Sequence, residues 1–477
     1  MSHFVRHDSL NQKKFVSLHK KNMPKILILG FGREGKSTYK HLRKSNPAGL
    51  LTIADQNPDI VNGKGEACLA PTDPNVAFKL GDDYLQNLDE YDIIIKSPGI
   101  SLKDFPELVN DERITSQTDL FLQEFHKQII GVTGTKGKST TTALIYHILK
   151  KQSDNVILVG NIGIPPFDLY EKINENTKIV AELSSHQLQH VQASPHIAVL
   201  LNIYQEHLDH YNSYEEYQQS KWNITRFQNE SDYFIFDVDH ELLNELWSYV
   251  GITRKTYTFS VSEPQKQGCY IHDNWIYFNE KKFYDCSEHR YLKGDHNLLN
   301  IMAAINVCKI CNVDDETIRL GIADFKGLPH RLEFVGTYND ITFYNDSIST
   351  IPQATIAALK SLENVQTLIL GGFDRGIDYL PLVEFLMQNP IKNIIFVGDA
   401  GQRISNLWIS RIVENPQLHN DSVNFFDAKN YDEVVDLAFK ITDKNCICLL
   451  SPAAASYDAF KDFEHRGEYF KEQIMKK

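Results

Sequence analysis

Runs of apolar residues alternate with polar, helix-periodic stretches along this chain, and their rhythm divides it into three blocks. The first, residues 24–117, reads strand (KILILGFG), helix (GKSTYKHLRKS), strand (LLTIAD) and a later strand (YDIIIKSPG). Strands buried on both faces appear as unbroken apolar runs, and helices between them predict a doubly wound parallel sheet. The second block, 118–325, opens with the strand, turn and helix of QIIGVTGTKGKSTTTALIYHILKK. It continues through VILVG, KIVAEL and HIAVLLNI, then through an aromatic-rich stretch that predicts shorter strands or hairpins. The third block, 326–477, carries ITFYNDS, TLILGGFD, NIIFVGDAG and ICLLSP, apolar strands that end in Gly, Asp or Ser. In open α/β sheets ligands gather beyond the carboxyl ends of strands, where these polar clusters fall. Residues 1–23 are polar and basic without an apolar segment, and are expected to be a flexible tail.

Two glycine-rich turns carry the first chemistry. Gly134-Thr135-Lys136-Gly137-Lys138-Ser139-Thr140 lies between an apolar strand and a helix. Glycines let backbone N–H groups approach phosphate oxygens, and a helix N-terminus favours negative charge. Lys138 can neutralise terminal phosphates and the Ser139 hydroxyl can reach Mg²⁺. Val132 stands where the strict phosphate-loop spacing has its first glycine. The earlier Gly30-Phe31-Gly32-Arg33-Glu34-Gly35 also joins a strand to a helix, with Asp55 ending the next strand. Alone, that motif is open between a dinucleotide and any other pyrophosphate.

Composition narrows the class. Of 477 residues 42% are hydrophobic, and the formal charge is -13, which argues against a general nucleic-acid backbone binder. No apolar run reaches the length of a membrane span. Seven scattered cysteines suit reduced thiols in the cytoplasm better than a disulfide framework. Cys308 and Cys311 have metal-site spacing, but no second such pair accompanies them, so buried inert thiols are expected.

GTKGKST followed by GNIG, ELSS, EHLDHY, HNLLN, HR, NDS and LSPAAASYDAFKDFEHRG resembles the Mur ligase family, and within it the glutamate-adding, MurD-type branch. The match runs in order from about Lys25 to the C-terminus. The resemblance implies an α/β protein of three domains. These are an N-terminal Rossmann-like domain for the UDP-sugar (24–117), a central P-loop-type ATPase with a mostly parallel sheet (118–325), and a C-terminal Rossmann-like domain that closes over glutamate and ATP (326–477). It implies ATP and Mg²⁺ as cofactors, UDP-N-acetylmuramoyl-L-alanine and glutamate as substrates, and a cytoplasmic monomer without nucleic-acid or membrane partners. Carboxylate phosphorylation by ATP, then amine attack on the acyl phosphate, is the implied reaction.

The residues carried over from the resemblance fall into sets. Lys138, His207 and Lys221 are the implied catalytic groups, Lys221 as a lysine that becomes carbamylated. Ser139, Glu182, His207 and carbamylated Lys221 are the implied metal ligands. Asn297, Asn300, Arg331 and Asp346 join the phosphate loop in binding ATP, with helix N-capping the competing reading for Asn297. Gly32, Arg33, Asp55, Ser97, Gly99 and Asn161 are the implied UDP-sugar contacts, Asp55 accepting from uracil. Thr350, Arg375, Ser456 and Phe463 are the implied glutamate contacts. The pocket departs from the usual pattern: Ile348 stands where a lysine is usual in NDSKAT, and Arg375 replaces another lysine. His186 in ELSSHQL replaces a more usual aromatic residue. The family commonly adds D-glutamate and a rarer branch adds L-glutamate, so the enantiomer stays open. A folylpolyglutamate-synthase-like ligase and a non-catalytic nucleotide-binding relative are the other readings. The first lacks an N-terminal block like 24–117, and the second would be expected to lose costly polar groups that this chain retains.

Overall fold

In the computed structural model, five strands form a wholly parallel sheet ordered β3-β2-β1-β4-β5. They are β1 (Ile26–Leu29), β2 (Leu51–Asp55), β3 (Val76–Leu80), β4 (Ile93–Lys96) and β5 (Ile114–Thr115). The structure describes residues 24–61, 73–105, 108, 111–207, 210–249, 254–292, 294–418, 420 and 422–477, so the tail expected at 1–23 lies outside the described residues. Strand order reverses beside β1, which puts the Gly30 turn at the switch point where such sheets bind ligands.

The second sheet has nine strands: β6 (Ile129–Thr133), β7 (Val156–Gly160), β8 (Lys178–Glu182), β9 (Ile197–Leu200), β10 (Tyr233–Asp237), β11 (Lys255–Ser260), β12 (Gly268–His272), β13 (Trp275–Phe278) and β14 (Lys281–Asp285). Their order is β14-β13-β12-β11-β10-β9-β6-β8-β7, parallel except for the closing β12-β13-β14 meander. β6 lies between β8 and β9, so the loop after it opens where the winding direction changes.

The third sheet is ordered β15-β16-β20-β17-β18-β19, with only β15 antiparallel to its neighbour. Its strands are β15 (Glu333–Tyr338), β16 (Ile341–Asn345), β17 (Val365–Gly371), β18 (Asn393–Val397), β19 (Asn424–Ala428) and β20 (Ile447–Leu450).

The chain forms two compact units. One comprises the described residues up to Glu288 with Asp295–Ala323, the other His289–Gly294 with Asp324–Lys477. The first two sheets share a unit because one core runs through both, from Ile28 and Ile53 to Leu200 and Phe234. Burying such a side chain contributes roughly 1.5–3 kcal/mol, which is why the apolar runs decide the layering. In the second unit, alternate strand residues face opposite cores: Leu368 and Leu370 one way, Ile369 the other. No helix among the described residues is long and apolar enough to cross a membrane.

Candidate active site

The phosphate loop follows β6 and ends where the helix Lys138–Gln152 begins. Gly137 caps that helix with φ +83°, and a Cβ there would lie 2.4 Å from Asn300 Oδ1. Only glycine satisfies both the left-handed backbone and this close approach. Asn300 also accepts from the Thr141 hydroxyl at 3.0 Å and donates to Asn297 Oδ1 at 2.9 Å. The helix Asp295–Ile310 thereby braces the loop, and Asn297 lies within its first turn rather than at its cap. The Lys136 amide donates to Asn202 Oδ1 (2.8 Å), and Thr135 Oγ1 shares a 2.8 Å hydrogen bond with the Tyr217 hydroxyl. Lys138 Nζ donates to Gly134 O (2.8 Å) and Thr135 O (3.1 Å), while Ser139 and Thr140 stand half-buried in the first turn.

Two buried groups flank the loop. Lys221, on the helix Tyr214–Arg226, is 2% exposed and donates to Gly134 O at 2.8 Å. Burial, then the nearby Lys138 cation, push its amine well below the ordinary lysine range. A neutral amine is the form that reacts with carbon dioxide, so the geometry suits the carbamylation that the resemblance implies. Glu182 ends β8 in register with Val132, just before the loop. It is fully buried, Oε1 accepts from Asn161 Nδ2 at 2.7 Å, and Oε2 has no partner. A buried carboxylate oxygen without a partner fits a hard cation such as Mg²⁺, with the Ser139 hydroxyl as a further oxygen donor. Asn161, assigned above to the UDP-sugar, thus also orients the candidate metal ligand.

His207 is exposed, with φ +61° and its ring centroid 4.8 Å from that of His186. His186 packs edge-on against His210 at 4.1 Å. Burial, then His210, His207, Lys96 and Lys221, hold His186 near a pKa of about 3, so it is a neutral ring at physiological pH.

The Gly30 turn belongs to the same compact unit. Asp55 Oδ2 accepts from the Phe31 amide (2.6 Å) and Oδ1 from the Asn57 amide (2.8 Å), so both oxygens hold the local backbone. Ser97 Oγ donates to Gly30 O at 2.7 Å. Around Gly32 and Gly99 a Cβ would meet nothing within 4 Å, which leaves the turn open to a ligand. Arg33 reaches across to Gly163 O in the turn after β7. Glu34 Oε1 accepts from Gln187 at 2.7 Å, its Oε2 is buried without a partner, and burial raises its pKa. Lys96, at the end of β4, is pushed down to about 8 by burial, with Glu34 opposing the shift.

In the second unit the predicted residues collect at the carboxyl ends of β16, β17 and β20. Asp346 accepts from the Leu332 amide (3.1 Å), Ser349 Oγ (2.6 Å) and Ser451 Oγ (2.7 Å), and burial raises its pKa to about 6. Arg331 is exposed. Arg375 donates to Thr350 O at 2.9 Å, which brings those two glutamate candidates together. Ser456 is buried beside the Phe373–Ala455 bridge, and Phe463 O accepts from Ser347 Oγ at 2.8 Å.

Sequence reasoning missed Arg466. Fully buried, its guanidinium donates to Ser347 O (2.8 Å), Ser347 Oγ (2.9 Å), Ala454 O (3.0 Å) and Ala455 O (3.0 Å). It ties the NDS loop to the SPAAAS loop. It lies inside the final motif, but nothing local distinguishes a buried arginine there from a surface one. Lys96 was missed for the same reason, and His186, marked only as a departure from an aromatic residue, was not paired with His210. Cys308 is fully buried and burial pushes its thiol up, as expected of an inert cysteine.

Residues 132–308 match the Mur ligase middle domain. A UDP-N-acetylmuramoylalanine–D-glutamate ligase from Clostridium kluyveri is 35% identical over 456 residues, covering 94% of this chain and 96% of that protein. One of the same name from Streptococcus pyogenes is 34% identical over 453 residues, covering 94% and 95%. Among solved structures, the UDP-N-acetylmuramate–alanine ligase MurC of Thermotoga maritima superposes with a TM-score of 0.54 at 19% identity, covering 95% of this chain and 99% of that one. MurF of Thermotoga maritima, solved with ADP, gives 0.51 at 16% identity, covering 96% and 99%. These two share the three-domain α/β fold. Near-whole-length identity above a third, together with the matching middle domain, means that this chain belongs to the Mur ligase family.

Proposed function

We propose that this protein is an ATP-dependent ligase that joins D-glutamate to UDP-N-acetylmuramoyl-L-alanine in peptidoglycan precursor synthesis, working as a cytoplasmic monomer. The observation that carries this reading is the grouping of Lys138, Lys221 and the half-partnered Glu182 carboxylate around the loop from Gly134 to Gly137. The relatives' shared name supports the substrates.

A carboxylate is a poor acyl donor. In the proposed reaction its oxygen attacks the γ-phosphorus of ATP and ADP leaves. The amine of glutamate then attacks the acyl carbonyl, phosphate departs, and the nitrogen loses a proton. Loop N–H groups and Lys138 hold the phosphates in line; Lys138 moves off Gly134 O to do so. Mg²⁺, held by Glu182 and Ser139, would neutralise charge on the transferred phosphoryl group. Carbamylated Lys221 and His207 are proposed for a second cation. Asn297, Asn300, Arg331 and Asp346 are proposed as further nucleotide contacts. Gly32, Arg33, Asp55, Ser97 and Gly99 are proposed to hold the UDP-sugar, and Thr350, Arg375, Ser456 and Phe463 the amino acid. Exclusion of water matters because an acyl phosphate hydrolyses readily.

The test is phosphate release from ATP with UDP-N-acetylmuramoyl-L-alanine, with D- or L-glutamate as the only variable. Turnover with the D enantiomer is expected. Turnover with L alone would make Ile348 and Arg375 the specificity determinants, and turnover with neither would overturn the glutamate assignment.

A further inference from the structure

The end of the central sheet opposite the phosphate loop gathers a second set of metal-binding side chains. His126 follows the helix Gln117–Phe125 and leads into β6, His196 immediately precedes β9, and Asp232 immediately precedes β10. These strands are neighbours, so three residues remote in sequence meet at adjacent amino ends. The His196 amide donates to His126 O at 3.0 Å, and the Tyr233 amide to His196 O at 2.8 Å. At about 3.3 Å per residue, β6 holds this cluster roughly 15 Å or more from the loop.

The Asp232 carboxylate is fully buried. Oδ2 accepts from the Asn229 amide at 2.8 Å, and Oδ1 lies 3.0 Å from His126 Nε2 and 2.8 Å from His196 Nδ1. The decisive contact is on the other side of the His126 ring, where Nδ1 lies 2.6 Å from Ser194 O. A carbonyl can only accept, so Nδ1 carries the hydrogen. In the neutral ring, Nε2 then turns a lone pair toward the Asp232 oxygen. Two acceptors at that separation require a positive charge between them, either a second proton or a metal ion.

We propose that His126 Nε2, His196 Nδ1 and Asp232 Oδ1 bind a transition-metal ion of the Zn²⁺ class, with water as fourth ligand. All three atoms lie within 4.8 Å of one another. Tetrahedral Zn²⁺ with bonds of about 2.0–2.1 Å sets its ligands about 3.3 Å apart, so the two contacts to Asp232 Oδ1, at 3.0 and 2.8 Å, need open by only a few tenths of an ångström. The two imidazole side chains are 25% and 28% exposed, which leaves a face for water to enter. The Ser194 carbonyl supplies the outer hydrogen bond that fixes a ligating histidine's tautomer. Two imidazoles with one carboxylate favour Zn²⁺ over Mg²⁺ or Ca²⁺. On binding, the ion displaces to solvent the proton that otherwise sits between His126 and Asp232, and the His196 ring hydrogen moves from Nδ1 to Nε2 through solvent. The site ties together the feet of three strands and takes no part in the ligase reaction.

The full-length protein, stripped with chelator, is titrated with Zn²⁺ in millimolar Mg²⁺, alongside His126→Gln and His196→Gln, and Co²⁺ is used as a spectroscopic probe. One Zn²⁺ per chain is expected, with proton release, a raised thermal midpoint and a visible Co²⁺ absorption band. Each substitution is expected to weaken binding by more than the roughly ten- to hundred-fold that loss of an outer partner costs. Zn²⁺ affinity unchanged in both variants would place the ion elsewhere and overturn the proposal. So would a wild-type protein with neither a Co²⁺ band nor a Zn²⁺-dependent thermal shift, a result that does not depend on the variants folding.

Discussion

Two lysines, Lys96 and Lys221, are buried behind two glycine-rich turns of the same unit, and the charges around them differ. Lys96 lies close enough to Glu34 for the carboxyl to support its charge, and burial lowers it only to about 8. Lys221 is lowered first by burial and then by the Lys138 cation, with Glu206 and Glu182 opposing the shift. The difference teaches that the charges beside a buried amine decide whether they oppose the effect of burial or add to it. Burial is the largest cause for both lysines, and Lys221 has in addition a cation beside it, Lys138, that pushes the same way. Lys96, at about 8, therefore stays largely an ammonium at neutral pH, while Lys221 is the amine shifted further toward its neutral form by a neighbouring cation.

The largest expected effect comes from the phosphate-loop side. Glu182→Gln and Lys138→Ala should each lower ATP-dependent turnover by roughly 10²–10³-fold with the thermal midpoint retained. Retained phosphate release in both would remove the site from the chemistry. Next, Lys221→Ala should cost about 10²-fold, with part restored by added formate or acetate that replaces the lost carboxylate. ¹³C NMR under labelled carbon dioxide should show a carbamate carbon in the wild type and in Lys96→Met but not in Lys221→Ala. A signal lost with Lys96 instead would reverse the comparison.

The third prediction separates folding from binding in the first turn. A Cβ at position 35 would lie 2.1 Å from Gly30 O, so Gly35→Ala should cost about 2–3 kcal/mol in denaturant unfolding. Gly32→Ala meets nothing and should stay within about 0.5 kcal/mol, yet raise KM for the UDP-linked substrate. An unchanged KM would take the sugar nucleotide away from this turn. The smallest effect is a slope. Lys96 has a folded value of about 8 against 10.5 for an ordinary lysine. Between these values the folded chain has released a proton that the unfolded chain keeps, so stability should rise with pH across that window. The rise is bounded by about 1.4 kcal/mol per pH unit. Denaturant midpoints from pH 7.5 to 10 should lose this component in Lys96→Met.

What could be read beforehand follows from how local each signal is. The phosphate loop was legible because strand, glycines, lysine and helix are contiguous. Glu182 was legible because it ends an apolar strand, but its unpartnered oxygen depends on Asn161, which the motif had placed with the sugar. Asp55 was read as a ligand acceptor, and the fold turns both its oxygens onto neighbouring amides. Long-range packing hid the rest. Whether Lys221 is buried, or His186 neutral, depends on elements tens of residues away that periodicity does not bring together. The His126–His196–Asp232 set was invisible for the same reason, since strand order rather than spacing assembles it.

Arg466 has a consequence for how this pocket can change over generations. Its guanidinium leans on oxygens from two loops, so a replacement that shifts Ser347, Ala454 or Ala455 strands a buried cation. Ile348 and Tyr457 are exposed on the same loops, Phe373 on the adjoining one after β17, and these carry no such obligation. Variation is thereby channelled to the rim. A lineage can exchange these exposed side chains while inheriting an unaltered frame.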